Sequence, residues 1–264
     1  MSQVRVEVPG TGEIVLLTLD RPERRNAVSG AMLGDLLAAL EGPASTPGVR
    51  AVLLGGAGQD FCAGADIAEL ATAGAPPAEY GGAIERVLRA IQDHPVPVIA
   101  QVQGAALGAG CQLAVACDLA IAAEDARIGI PSARLGIVIN IENIVRLVLA
   151  VGRKRAGEIL FTGRAISGRE AAAWGLVNEA VPAEGLRARA EHLARQIADM
   201  APLSVRASKS GIRAAIRAMS LDRDGDGSGL DTFDRLAEEV YSSEDLAEGI
   251  RAFGERRDPR FGGR

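Results

Sequence analysis

The chain has 264 residues, 48% of them hydrophobic and 24% charged, a globular composition with enough apolar residues for one large buried core or a core plus a helical appendage. Its 29 basic and 34 acidic residues give a formal charge of −5. With only 3% aromatic residues as well, it has neither the field nor the stacking surface that nucleic acid requires. Three cysteines, Cys62, Cys111 and Cys117, form no metal-like pair and no even disulfide set, so a reducing, cytoplasmic setting is expected.

The first residues carry Arg5, Glu7 and Glu13 before any apolar run, and no signal peptide is expected. "EIVLLTLD" (13–20) is a strand and "RPERRNA" the loop leaving it. Residues 29–40 form a helix, with Met32, Leu33, Leu36, Leu37 and Leu40 at helical spacing and Ser29 at its N-cap. "RAVLLGG" (50–56) is a short buried strand. An Ala/Gly/Pro stretch (71–77) precedes a helix over 78–94. The charge-free run from Pro95 to Cys117 is long enough for a membrane span. Its prolines, glutamines and glycines instead indicate a buried strand (95–104), a turn and a helix. "DLAIAAEDARIGI" supplies two short strands. Beyond residue 140 the pattern is mostly helical, and from 201 it is helical to the end. This alternation of apolar strands with helices indicates an α/β fold. "DRDGDGSGLDTF" (222–233) matches the first half of a calcium loop, but Phe233 stands where a bidentate glutamate is needed, so it reads as a solvated interhelical loop and no metal site is expected.

Two glycine-rich turns hold the chemistry: "GGAGQDFCAGADI" (55–67) and "QGAALGAGCQLA" (103–114). Neither contains a phosphate-loop or dinucleotide fingerprint. Both place small residues just after a strand, where the backbone can approach a ligand closely. A helix N-terminus that follows offers unpaired N–H groups. Two such groups converging on one oxygen would form an oxyanion hole. Cys62 and Cys111 flank the turns without a histidine partner and read as buried packing groups. His94 reads as a local hydrogen-bonding residue and His192 as exposed.

"RPERRNA", "FCAGADI", "GAALGAGCQLAVACDLAIAAEDARIGIP", "FTGRAISGREAAAWGLVNEAVP" and "EDLAEGIRAFGERRDPRF" resemble the crotonase superfamily, the enoyl-CoA hydratase/isomerase group, over essentially the whole chain. The resemblance implies a spiral of ββα units over residues 1–200 and a C-terminal helical region over 201–264 used for trimer contacts. It implies an acyl-CoA thioester as substrate or ligand, with no further cofactor, and a homotrimer or dimer of trimers. By position, the N–H groups of Ala65 and Ala109 would hold the thioester carbonyl. Glycine is usual where Ala109 stands, so Ala109 must have a negative φ. Ala63, Asp66, Ile67 and Ala68 would line the CoA channel, with Asp66 also serving structure beside the hole. Arg24 would approach the CoA phosphates, and Phe253 and Arg256 a neighbouring subunit's CoA.

Hydratases of this family use two glutamates, and the resemblance puts Gln112 and Ser132 at those positions. Neither can exchange protons with water near neutrality, so hydration by the two-glutamate route is not expected. Asn140 falls where isomerase and dehalogenase relatives carry an aspartate. Glu142 is the carboxylate left in this region. If 139–149 is helical, it can pair with Arg146 at i+4 or act as a relocated base. Glu69 and Asp66 are weaker candidates for that role. The expected function is a non-standard lyase or isomerase acting through an oxyanion hole; the alternative is a non-catalytic acyl-CoA binder.

Overall fold

The computed structural model of the chain describes residues 2–72, 77–221, 238 and 241–260. Its main sheet is built around strands buried on both faces. β1 (Val4–Glu7) pairs antiparallel with β2 (Ile14–Leu19); β3 (Ala51–Gly56), β4 (Val98–Val102), β6 (Leu119–Ala123) and β9 (Glu179–Val181) follow in parallel. The continuous apolar run of β3 is explained by its two faces. Val52 and Leu54 enter the main core, while Ala51 and Leu53 join Ile99, Ala190 and Ala194 in a second cluster beneath a long helix, α7 (Leu186–Ala198). A second, three-stranded sheet pairs β5 (Ala105–Leu107) parallel with β7 (Arg127–Gly129), and β7 antiparallel with β8 (Ile166–Ser167).

Helices cover these sheets where the sequence pattern requires. α1 (Gly30–Glu41) starts at Ser29, whose hydroxyl accepts from the Met32 N–H at 3.0 Å. After the six-residue α2 (Ile67–Thr72), α3 (Pro77–Asp93) buries Ile84, Val87, Leu88 and Ile91, spaced as one helical face. α4 (Ala109–Ala116) is almost wholly buried. α5 (Ile141–Thr162) is broken at Gly152, where φ is 76° and ψ 160°. α6 (Gly168–Trp174) opens with a reciprocal capping box between Ser167 and Glu170.

The C-terminal region is fastened to the core in two places. From α8 (Pro202–Leu221), the buried Lys209 ammonium donates to Ile91 O, Val96 O and Asp118 Oδ2 at 3.1, 3.0 and 2.7 Å. α9 (Glu244–Glu255) lies on the 3₁₀ turn Ser132–Leu135, so closely that a Cβ on Gly249 would stand 2.3 Å from Leu135 O. Tyr241 adds a 2.6 Å bond to Val138 O.

The architecture corrects the sequence reading in two respects. β1 is a strand that the residues before 13 do not announce, and β8 and β9 interrupt what reads as a helical half after residue 140. Strands of two to four residues carry too little periodicity to be seen; they form because a neighbouring edge supplies their hydrogen bonds. The 222–233 segment and residues 73–76 lie outside the described residues. Among the described residues no helix is long and apolar enough to cross a membrane, and no group of three or more His, Cys, Asp or Glu could hold a metal ion.

Candidate active site

The two glycine-rich turns meet through a parallel bridge between Cys62 and Ala106. Counting three residues on from each side of that bridge reaches Ala65 and Ala109. Glycines permit the approach. A Cβ on Gly110 would fall 2.2 Å from Cys62 O, and one on Gly64 (φ 115°) would fall 3.0 Å from Leu107 O. Gly108, with φ 54° and ψ −115°, takes the conformation closed to other residues, so Ala109 begins α4 without a positive φ.

Both donors are free and directed. Val28 donates to Gly64 O at 2.8 Å and accepts from the Asp66 N–H at 2.9 Å, so the intervening Ala65 N–H points to the opposite edge, away from Val28. The Ala109 N–H lies in the first turn of α4, where no intrahelical acceptor exists and the helix end is positive. Among the described residues neither N–H has an acceptor.

The register of the second sheet brings the next segment alongside. Leu107 pairs with Gly129, and the Gly108 N–H donates to Gly129 O at 2.9 Å. From that point one chain enters α4 and reaches Gln112, while the other runs through Pro131 to Ser132. Gln112 is 8% exposed, and its side-chain amide bonds to no described residue; the half-buried Ser132 hydroxyl likewise has no described partner. Burial pushes the Cys62 and Cys111 thiols up to about 12, so both are protonated packing groups.

The carboxylates and amides nearby are largely occupied by structure. Asp66 Oδ2 accepts from Arg21 at 3.1 Å and Oδ1 from the Glu69 N–H. Glu69 accepts from Gly30 N–H at the start of α1. Asn140 caps α5: its Oδ1 accepts from the Asn143 N–H at 3.1 Å, and its Nδ2 donates to Glu85. Glu142 does not pair with Arg146. It pairs with Arg89 at 3.2 Å and is 43% exposed, because Arg146 turns inward to make a bidentate bond with the buried Glu85 at 2.6 and 2.7 Å. Burial acts to raise the Glu85 carboxyl pKa, but hydrogen bonds from Arg146 and Arg89 outweigh it and hold the group below its ordinary value. Buried His94 bonds locally to Val96 through Nδ1 and, 49 positions away, to Ser45 through Nε2, and His192 is exposed.

The remaining residues are spread over the surface. Arg24 ends a short 3₁₀ turn (Pro22–Arg24), exposed and with no described side-chain partner. Ala63, Ile67 and Ala68 follow the 62–68 chain past the bridge, Ala68 being exposed. Phe253, 58% exposed, lies near the end of α9, seven residues after the buried Leu246; Arg256 caps that helix with φ 54°. Sequence reading missed Arg21, Asn26 and Asp60, which anchor the turns, and the Glu85–Arg146 pair. Their long-range partners lie 31 to 61 positions away, so nothing in the neighbouring sequence shows what they hold.

A family model for enoyl-CoA hydratase/isomerase matches residues 10–264. A Thermus thermophilus protein provisionally named an enoyl-CoA hydratase is 39% identical, over 95% of this chain and 98% of its own. The 2,3-dehydroadipyl-CoA hydratase of Escherichia coli K12 is 34% identical over 95% and 96%. Among solved structures, a methylmalonyl-CoA decarboxylase in complex with 2-nitronate-propionyl-CoA superposes with a TM-score of 0.90 at 28% identity, covering 99% of both chains. An enoyl-CoA hydratase from Bacillus anthracis superposes at 0.76 with 34% identity, over 99% of this chain and all of its own.

Proposed function

Given that the chain belongs to the enoyl-CoA hydratase/isomerase family, we propose that it binds an acyl-CoA thioester, polarises its carbonyl between the Ala65 and Ala109 N–H groups, and uses that polarisation for a reaction that needs no carboxylate base. The reaction favoured is loss of CO2 from a 2-carboxyacyl-CoA. The observation that carries it is the pair of free N–H donors, equally spaced from the Cys62–Ala106 bridge, beside neutral Gln112 and Ser132.

The chemistry follows from what is and is not available. Hydration must add a proton and a hydroxide across a double bond and needs groups that exchange protons near neutrality. In decarboxylation the bond from Cα to the carboxylate carbon breaks and its electron pair passes into the enolate. CO2 departs, and Cα later takes a proton from water. The protein's task is to stabilise the enolate oxygen, which two aligned N–H donors perform. Gln112, its amide free, can orient the departing carboxylate without adding a like charge. Arg24 on the first loop suits the CoA phosphates. The fit to the decarboxylase, closer than to the hydratase although that protein is nearer in sequence, supports the same reading. A relocated base at Glu142 is disfavoured by its exposure and its ion pair with Arg89.

The test is to incubate the purified chain separately with malonyl-, methylmalonyl- and crotonyl-CoA and follow the products by mass spectrometry. Conversion of a 2-carboxyacyl-CoA to its decarboxylated thioester, with crotonyl-CoA hydrated far more slowly, is expected. Rapid hydration would overturn the reading; tight binding with no turnover of any thioester would establish the non-catalytic binder instead.

A further inference from the structure

The turn that carries Ala65 is held from behind by the loop leaving β2. Arg21 is largely buried (side chain 17% exposed); its Nη1 and Nη2 both donate to Asp66 Oδ2 at 3.1 Å, and Nη1 also donates to Ala27 O at 3.0 Å. The other oxygen of Asp66 accepts from the Glu69 N–H, so one carboxylate fixes the residue after Ala65 and the first turn of α2 together. Further bonds join the two loops: Ala63 N–H to Arg25 O at 3.0 Å, and the two made by Val28.

The loop itself is strained and braced. Arg25 and Asn26 are consecutive left-handed residues, with φ 53° and 55°, a conformation that disfavours side chains. Fully buried Asn26 holds it: Oδ1 accepts from the Arg21 N–H at 2.9 Å, and Nδ2 donates to Ala57 O and Asp60 O at 2.8 and 2.7 Å. Arg25 adds a bidentate pair with Asp60. Residues 21–28 and 57–66 therefore form one block that carries both the Ala65 N–H and Arg24.

We propose that Arg21 is a positioning residue: its forked ion pair with Asp66 sets the direction of the Ala65 N–H and couples it to the loop that carries Arg24. The inference rests on reading Ala65 as a donor to the thioester carbonyl. The CoA end and the reacting carbonyl are then held in a fixed relation by a rigid element rather than a loose turn. Only arginine offers the planar fork; lysine keeps the charge and loses the second bond that fixes the angle.

The full chain is titrated with butyryl-CoA carrying 13C at the thioester carbonyl, a thioester with neither a carboxylate to lose nor a double bond to hydrate. The carbonyl resonance should move downfield on binding to the wild type. Arg21→Lys should bind within a few-fold, lose at least half of that shift, and lower kcat for decarboxylation roughly 10-fold with little change in KM. Arg24→Gln should do the reverse, weakening binding while keeping the shift. If Arg21→Lys fails to fold, Asp66→Asn removes the same ion pair at nearly constant shape and should lose the shift too. A full shift retained in the variants, with only a lower melting temperature, makes Arg21 merely structural and overturns the inference. Binding without any shift in the wild type overturns the reading of Ala65 and Ala109 as carbonyl donors, and the inference with it.

Discussion

Ala109 holds the first helical position of α4, where proline is well tolerated because the N–H has no intrahelical acceptor. Ala109→Pro therefore deletes one candidate donor, fills its space with the ring, and leaves the helix intact. We expect kcat to fall about 10²–10³-fold with the circular dichroism spectrum unchanged; an active variant would remove Ala109 from the site. Gln112 and Ser132 call for the opposite experiment. Gln112→Glu with Ser132→Glu should raise crotonyl-CoA hydration at least ~10-fold by restoring groups that exchange protons, measured as loss of the enoyl absorbance. Glu142→Gln, by contrast, removes one partner of an exposed pair and should leave turnover within about two-fold and stability within ~0.5 kcal/mol.

At the level of elements, the contact between α3 and α5 depends on a charge pair buried at both ends, Glu85 at 10% and Arg146 at 11% side-chain exposure. Glu85→Gln leaves that guanidinium without a counter-charge and should cost about 3 kcal/mol at pH 7 by urea unfolding. The Glu85 pKa is lower in the folded chain than in the unfolded one. Its contribution is therefore complete above the ordinary glutamate value and lost as pH falls through the lowered one. The wild type should then lose stability on acidification more steeply than Glu85→Gln, and equal slopes would contradict the assignment. The interlock of α9 with the Ser132 turn invites a second measurement. Gly249→Ala drives a Cβ into the Leu135 carbonyl, so α9 must lift, and limited proteolysis should cleave near residues 241–260 faster than in the wild type.

Across the whole molecule, large apolar side chains stay uncovered on the C-terminal half: Phe161 at 84%, Leu203 at 77% and Ile212 at 63% exposure. Surfaces of this kind are usually covered by a partner, and the family resemblance points to a second and third copy of the chain. Light scattering should give a trimer or a dimer of trimers, and Leu203→Asp with Ile212→Asp should shift the mass downward. A wild-type monomer at micromolar concentration would contradict that expectation. The net charge of −5 is too small to oppose such association.

Much of the architecture was legible along the chain because it is local. β2, β3, α1, α3 and α4 declare themselves by apolar period, by Ser29 as a cap and by Gly108 as a forced turn, all signals contained within a dozen residues. The family resemblance likewise singled out Ala65, Ala109, Gln112 and Ser132, since it rests on short motifs. Only the tertiary structure could decide what surrounds them. That Ala65 and Ala109 each follow by three residues one side of a single bridge depends on two turns more than 40 residues apart. That Arg146 chooses Glu85 over Glu142 depends on α3 lying against α5. Arg21, Asn26 and Asp60 look like ordinary loop polarity until the fold buries them. A buried polar group takes whichever partner offsets its lost hydration, and that choice is made by packing rather than by neighbours in sequence.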